Sequence, residues 1–140
     1  MPKQIVIDTN VFISALRSSR GASHKLLGLI GDKDFEINIS VPLVLEYEEV
    51  AKRLLSETPL TEKEIDDVLN YICSVANRCK IFYLWRPILS DPCDDIVLEL
   101  AVVSESDYVI TYNKSDFKEA KLFGVEVVTP KEFLKTIGEI

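Results

Sequence analysis

Five short runs of apolar and β-branched residues alternate along this chain with stretches patterned for helices, and that alternation constrains the fold more than any other feature. Gln4-Ile5-Val6-Ile7 is a β-branched run that halts at Asp8, as a buried parallel strand would. Phe35–Ile39 alternates apolar and polar and reads as a second strand; 81–85, 108–111 and 125–128 read as the third, fourth and fifth. Between them, 11–16 and 23–30 look helical. Ser40 caps the next helix and Pro42 suits its first turn, after which Leu43, Tyr47, Val50, Ala51 and Leu54 form one stripe. Thr61 with Glu64 is a capping-box pair, followed by Ile65, Val68, Leu69, Ile72, Ala76 and Cys79 on one helical face. Asp91-Pro92 opens a helix to about Val103, 117–122 is a short helix, and Pro130 starts a closing one.

Strands alternating with helices imply βαβ units, hence an α/β fold with a central parallel sheet of about five strands covered on both faces. The 140 residues suffice for one domain, 1–140, without internal repeat or linker. No apolar run approaches the roughly 20 residues that span a bilayer. Cys73, Cys79 and Cys93 are odd in number and form no CxxC pair, and the N-terminus leads straight into a strand-like run; a reducing, cytoplasmic address is expected.

Ligands of parallel α/β sheets gather at the carboxyl ends of the strands, which selects the polar residues to weigh. Asp8 emerges there, with Thr9 and Asn10 placed to orient it; its plainer role is a helix cap. Glu46 lies about 60° around its helix from Leu43, on the shoulder of the apolar stripe, where a surface Glu is also common. Asp94 shares a direction with Leu98 and Ala101 at the start of its helix, while Asp95 turns roughly 100° away. Asp91 is a good N-cap there, and an acid in the first turn is simply helix-friendly. Asp116 follows the fourth strand through Thr111-Tyr112-Asn113-Lys114-Ser115, and its plainer role is to cap the short helix.

Convergence of these acids would have a strong consequence. At about 4 Å and an effective dielectric near 20, each like-charged pair costs on the order of 4 kcal/mol, so the cluster must protonate or bind cations. Hard oxygen ligands suit Mg²⁺ or Mn²⁺, and two such ions about 3.5–4 Å apart can activate water and stabilise a leaving oxygen at phosphorus. The formal net charge of −7 and pI near 4.8 argue against a nucleic-acid binder when taken alone, less so if clustered acids hold metal. His24 is the only histidine, and no acid partner lies close to it in sequence, which speaks against a Ser/His or Cys/His plan. A phosphoryl-receiving domain would want a second acid beside Asp8, and a haloacid-type phosphatase an Asp where Asn10 stands; both fit worse.

Asp8-Thr9-Asn10, Glu46, the block Asp91-Pro92-Cys93-Asp94-Asp95, and Thr111-x-Asn113-x-x-Asp116-Phe117, in that order, resemble the PIN-domain nucleases. The resemblance runs over about 5–133 and is closest to the toxins of toxin–antitoxin systems, similar to VapC-type ribonucleases. It implies a PIN-like three-layer α/β/α fold and a metal-dependent endoribonuclease. It further implies that Asp8, Glu46, Asp94 and Asp116 bind one or two Mg²⁺ or Mn²⁺ ions, supported by Thr9 and Asn113. Cys93 stands where this subfamily has an acid, which leaves open whether Asp94 or Asp95 is the ligand. The resemblance also implies an RNA substrate, a homodimer and a cognate antitoxin; the alternative is a non-catalytic PIN-fold module that binds RNA or protein.

Overall fold

The computed structural model describes residues 2–32, 34–80 and 92–140. Its strands are β1 (Lys3–Ile7), β2 (Phe35–Ile39), β3 (Asn77–Arg78), β4 (Tyr108–Ile110) and β5 (Glu126–Val128). All pair in parallel in the order β3-β2-β1-β4-β5. The helices flanking the sheet are α1 (Thr9–Arg17), α2 (Ala22–Gly28), α3 (Val41–Arg53), α4 (Glu62–Val75), α5 (Pro92–Val103) and α6 (Pro130–Thr136). The α/β architecture expected from the alternation is therefore the one observed.

The chain lays β1 in the middle, builds outward through β2 and β3, then crosses to the other side for β4 and β5. The direction of building reverses between β1 and β4, and in such sheets the crevice at that reversal opens at the carboxyl ends of the strands. Ile7 is in register with Ile110, so Asp8 and Thr111 leave the sheet side by side. The Asp8 N–H still donates to the Ile110 carbonyl at 2.9 Å. Ile5, Val6 and Ile7 are almost wholly buried, as a central parallel strand covered on both faces requires.

Local signals act where the sequence places them. Ser40 Oγ accepts from the Leu43 N–H with Pro42 in the first turn, and Thr61 and Glu64 form a reciprocal capping box. A second box, Thr129 with Glu132, starts α6. Aromatic rings pack against one another in the core: Phe12 stacks on Tyr47 with centroids 4.7 Å apart, and Phe133 meets Phe35 and Tyr108 edge-on.

Two expectations need correction. The helical face drawn through Ala76 and Cys79 stops earlier: α4 ends at Val75, Ala76 turns extended, and 77–78 pairs with β2. Asn77 drives this change, donating its side-chain amide to Gln4 Oε1 and Glu36 Oε1, both at 3.1 Å. The helix expected over 117–122 is instead a 3₁₀ run, Lys114–Phe123, kinked at Phe117 and ended by Gly124 at φ +77°. The strand expected at 81–85, and Asp91, lie outside the described residues. Among those residues no helix is long and apolar enough to cross a membrane.

Candidate metal centre at the switch between β1 and β4

Asp8 is the centre of the site. It is only 6% exposed, and both carboxylate oxygens are engaged. Oδ1 accepts from the Thr9 N–H at 2.8 Å, so the capping role is real. Oδ2 accepts from Thr111 Oγ1 at 2.7 Å. Even so, the Asp8 pKa is pushed up to about 6. Burial is the largest cause; the charges of Glu46 and Asp116 push the same way, while the bonds from Thr111 and Thr9 pull it partly back. The fold thus holds a carboxylate where its charge is disfavoured, with two further acids adding to the disfavour.

Each of those acids is delivered by its own element. Glu46 sits half-buried on α3, and its Oε2 accepts from the Thr9 hydroxyl. The next residue, Tyr47, is fully buried and donates its hydroxyl to the Ile7 carbonyl, pinning α3 to the end of β1. Burial first, then the charges of Asp8 and Glu46, raise the Tyr47 pKa well above its ordinary value, so the phenol stays a donor. Asp116 is exposed in the first turn of the 3₁₀ run, where Asn113 occupies the cap position. Asp116 is therefore not the cap of that segment. Its N–H bonds the Asn113 carbonyl at 3.0 Å, and the Asn113 N–H bonds Thr111 Oγ1 at 3.0 Å, which ties the loop to the same threonine that holds Asp8. Asn113 contributes through its backbone; its side chain is exposed.

Asn10 is half-buried, and among the described residues its Oδ1 is buried with no hydrogen-bond partner. Asp94 and Asp95 are both half-buried in the first turn of α5. Their burial does not separate them, because Val97, Leu98, Glu99, Leu100 and Ala101 behind them are all buried. The inward direction assigned to Asp94 alone presumed a one-sided helix, whereas α5 is covered all round through its middle. Among the described residues, the group of three acids whose oxygens all lie within 4.8 Å of one another is elsewhere: Asp32, Asp34 and Glu139, mostly exposed, near the start of β2. The carboxylates around Asp8 are thus an open group coupled through charge.

Two residues escaped the sequence reading. Thr111 was visible only as part of a motif, yet it is wholly buried and joins Asp8 to the Asn113 loop. Glu99 is 2% exposed. Its signal was present: Ile96-Val97-Leu98-Glu99-Leu100-Ala101-Val102-Val103 is apolar on every side, so an acid inside it must be buried. Glu49 and Arg53 on α3 are exposed and pair with each other at 3.5 Å.

With this geometry in hand, three comparisons are informative. A family profile described as PIN domain matches residues 4–115, from β1 to the residue before Asp116. Among solved structures, the crystal structure of VapBC2 from Rickettsia felis bound to a DNA fragment from their promoter contains a similar chain. The TM-score is 0.57 at 12% identity, covering 89% of this chain and 96% of that one, and at such identity the likeness is one of fold. No curated protein matches the chain in sequence.

Proposed function

The chain belongs to the PIN-domain family, and on that premise we propose that it is a metal-dependent endoribonuclease, residues 1–140 forming one nuclease domain. The ligands of one or two Mg²⁺ or Mn²⁺ ions would be Asp8, Glu46, Asp116 and, carried over from the family motif, Asp94 in the first turn of α5, although Asp95 beside it is equally half-buried. The observation that carries the reading is Asp8 itself: a buried carboxylate pushed up to about 6 while two other acids bear on it. A cation would relieve that repulsion, and the donor set, all hard oxygen, fits Mg²⁺ or Mn²⁺ and not a thiolate-seeking ion. When bound, such an ion supplies an activated water and charge neutralisation at the phosphodiester.

The chain's own residues prepare for that chemistry. Thr111 and the Thr9 N–H fix both oxygens of Asp8, so its orientation does not depend on a ligand. The Thr9 hydroxyl holds Glu46 toward the same place. Tyr47 keeps α3 seated without adding charge, because its phenol remains protonated. RNA is the substrate that the family suggests. A toxin role with an antitoxin partner and a homodimeric state extend the same reading, supported by likeness in fold to a chain from a VapBC2 complex. The open spacing of the acids favours one rival, a PIN-fold module that binds without cutting.

The test is direct. Purified protein is incubated with mixed RNA and Mg²⁺ or Mn²⁺, beside Asp8→Asn and Asp94→Asn variants and an EDTA control. Cleavage that needs metal and vanishes in both variants is expected. Cleavage that survives them would remove the site from these acids, and failure to cut any RNA or to bind Mn²⁺ in calorimetry would favour the rival.

A further inference from the structure

Part of the positive charge in this acidic chain is neutralised where it stands. Lys52 lies among Glu48, Glu62 and Asp66, Arg17 meets Glu57, Arg53 meets Glu49, Lys63 meets Asp67 and Lys114 meets Glu132. Other described cations stand outside such pairs, and one cleft gathers three of them. A cleft of about 550 Å³ where α2 packs beside α6 is lined by Arg20, His24, Lys25 and Lys131, and no Asp or Glu side chain lines it. All four are exposed, and among the described residues neither Arg20 nor Lys131 is in an ion pair. Lys25 Nζ donates to the Glu139 backbone carbonyl at 2.6 Å, which fixes the ammonium without cancelling its charge.

This cleft is joined to the acids around Asp8 by a short physical chain. Ser23, between lining residues Ala22 and His24, is buried, and its hydroxyl shares a hydrogen bond with the Tyr112 hydroxyl. Tyr112 sits between Thr111, which holds Asp8, and Asn113, which leads to Asp116. The residue is 45% exposed although its hydroxyl is tied down. An exposed aromatic tied by its hydroxyl to α2, the helix that also carries Lys25, offers the two contacts that single strands use: bases stack on the ring while cations follow the phosphates.

We propose that the cleft between α2 and α6 is the path of a single-stranded RNA segment adjoining the site of cutting, with Arg20, Lys25 and Lys131 on its phosphates and a base stacked on Tyr112. The inference rests on the nuclease reading for its substrate and deepens it. It assigns binding to a locally positive surface in a chain whose formal charge is −7, so affinity depends on few contacts.

The experiment measures binding of a short fluorescein-labelled oligouridine RNA by anisotropy, with Ca²⁺ in place of Mg²⁺, across a series of salt concentrations. Each phosphate contact contributes about 0.7 to the slope of log K against log salt on a single strand, so Arg20→Gln with Lys131→Gln should flatten the slope by about 1.4. Tyr112→Ala should weaken binding roughly tenfold, while Tyr112→Phe, which keeps the ring, stays near wild type. Lys63→Gln on α4 should change neither. An unaltered slope and affinity, equal losses in Lys63→Gln, preference for single-stranded DNA, or no RNA binding by the wild type would each overturn the proposal. Cleavage in Mg²⁺ is followed in parallel. Binding that depends on the cleft without Asp8-dependent cleavage removes the nuclease reading alone, and cleavage indifferent to the cleft removes the path alone.

Discussion

Thr111 Oγ1 donates to Asp8 Oδ2 at 2.7 Å, joining residues 103 positions apart in sequence at the place where two central strands end. The same oxygen accepts from the Asn113 N–H, so one buried hydroxyl couples the carboxylate to the loop that presents Asp116. Thr111→Val keeps the shape and removes the hydroxyl. Hydrogen bonds to charged groups contribute about 1.5–3 kcal/mol, so urea unfolding at neutral pH should show a loss of about 2 kcal/mol, recovered in Thr111→Ser. A valine variant as stable as the wild type would mean that the bond contributes nothing net.

Asp8 should make the metal-free protein less stable at neutral pH. Its folded pKa of about 6 lies above the ordinary 3.8. Below the lower value it is protonated in both states and adds no penalty; above the upper it is ionised in both, and the folded state is disfavoured by roughly 3 kcal/mol. Its contribution therefore declines as pH rises from about 4 to about 6 and stays low beyond. Asp8→Asn should remove that decline and raise metal-free stability at pH 7, by up to ~3 kcal/mol. Mn²⁺ should stabilise the wild type and leave the variant unmoved. Chemical denaturation across pH, with and without metal, reads all three, and a variant less stable than wild type at pH 7 contradicts the account.

Glu46→Gln removes one of the two charges that raise Asp8. The amide oxygen can still accept from Thr9, so the local geometry is kept. The Asp8 pKa, followed by its carboxyl carbon resonance, should move down from about 6. Asp116→Asn should move it the same way. An unchanged titration in both variants would show the three acids to be independent.

Tyr47→Phe preserves the ring stacked on Phe12 and deletes the bond to the Ile7 carbonyl. The loss should be about 1–2 kcal/mol, the usual magnitude for leaving a buried acceptor unmet. Because burial and the neighbouring acids hold the phenol protonated well above pH 10, the loss should be equal at pH 6 and pH 9. A loss that grows toward alkaline pH would mean that the phenol ionises.

Much of this was legible because local chemistry dictated it. The strand ending at Asp8 and the caps at Ser40 and Thr61 each depend on residues within a few positions. What was illegible depended on distant partners. The end of α4 carries no Gly or Pro; it is set by Asn77 reaching Gln4 and Glu36 across the sheet. Tyr47 read as one member of an apolar stripe, and only the nearness of Ile7 reveals its hydroxyl's task. Asp94 and Asp95 stayed indistinguishable because the direction test assumes one wet face, which α5 lacks through its middle.

The placement of β1 and β4 as neighbours has a temporal meaning. Asp8 leaves the ribosome 103 residues ahead of its hydroxyl partner on β4, and the acid at 116 follows later still. Until β4 docks along β1, the early aspartate faces neither Thr111 nor Asp116. A growing chain therefore carries the first carboxylate of its centre without the centre, and the grouping of acids around Asp8 comes into being only once β4 and the loop after it have been made.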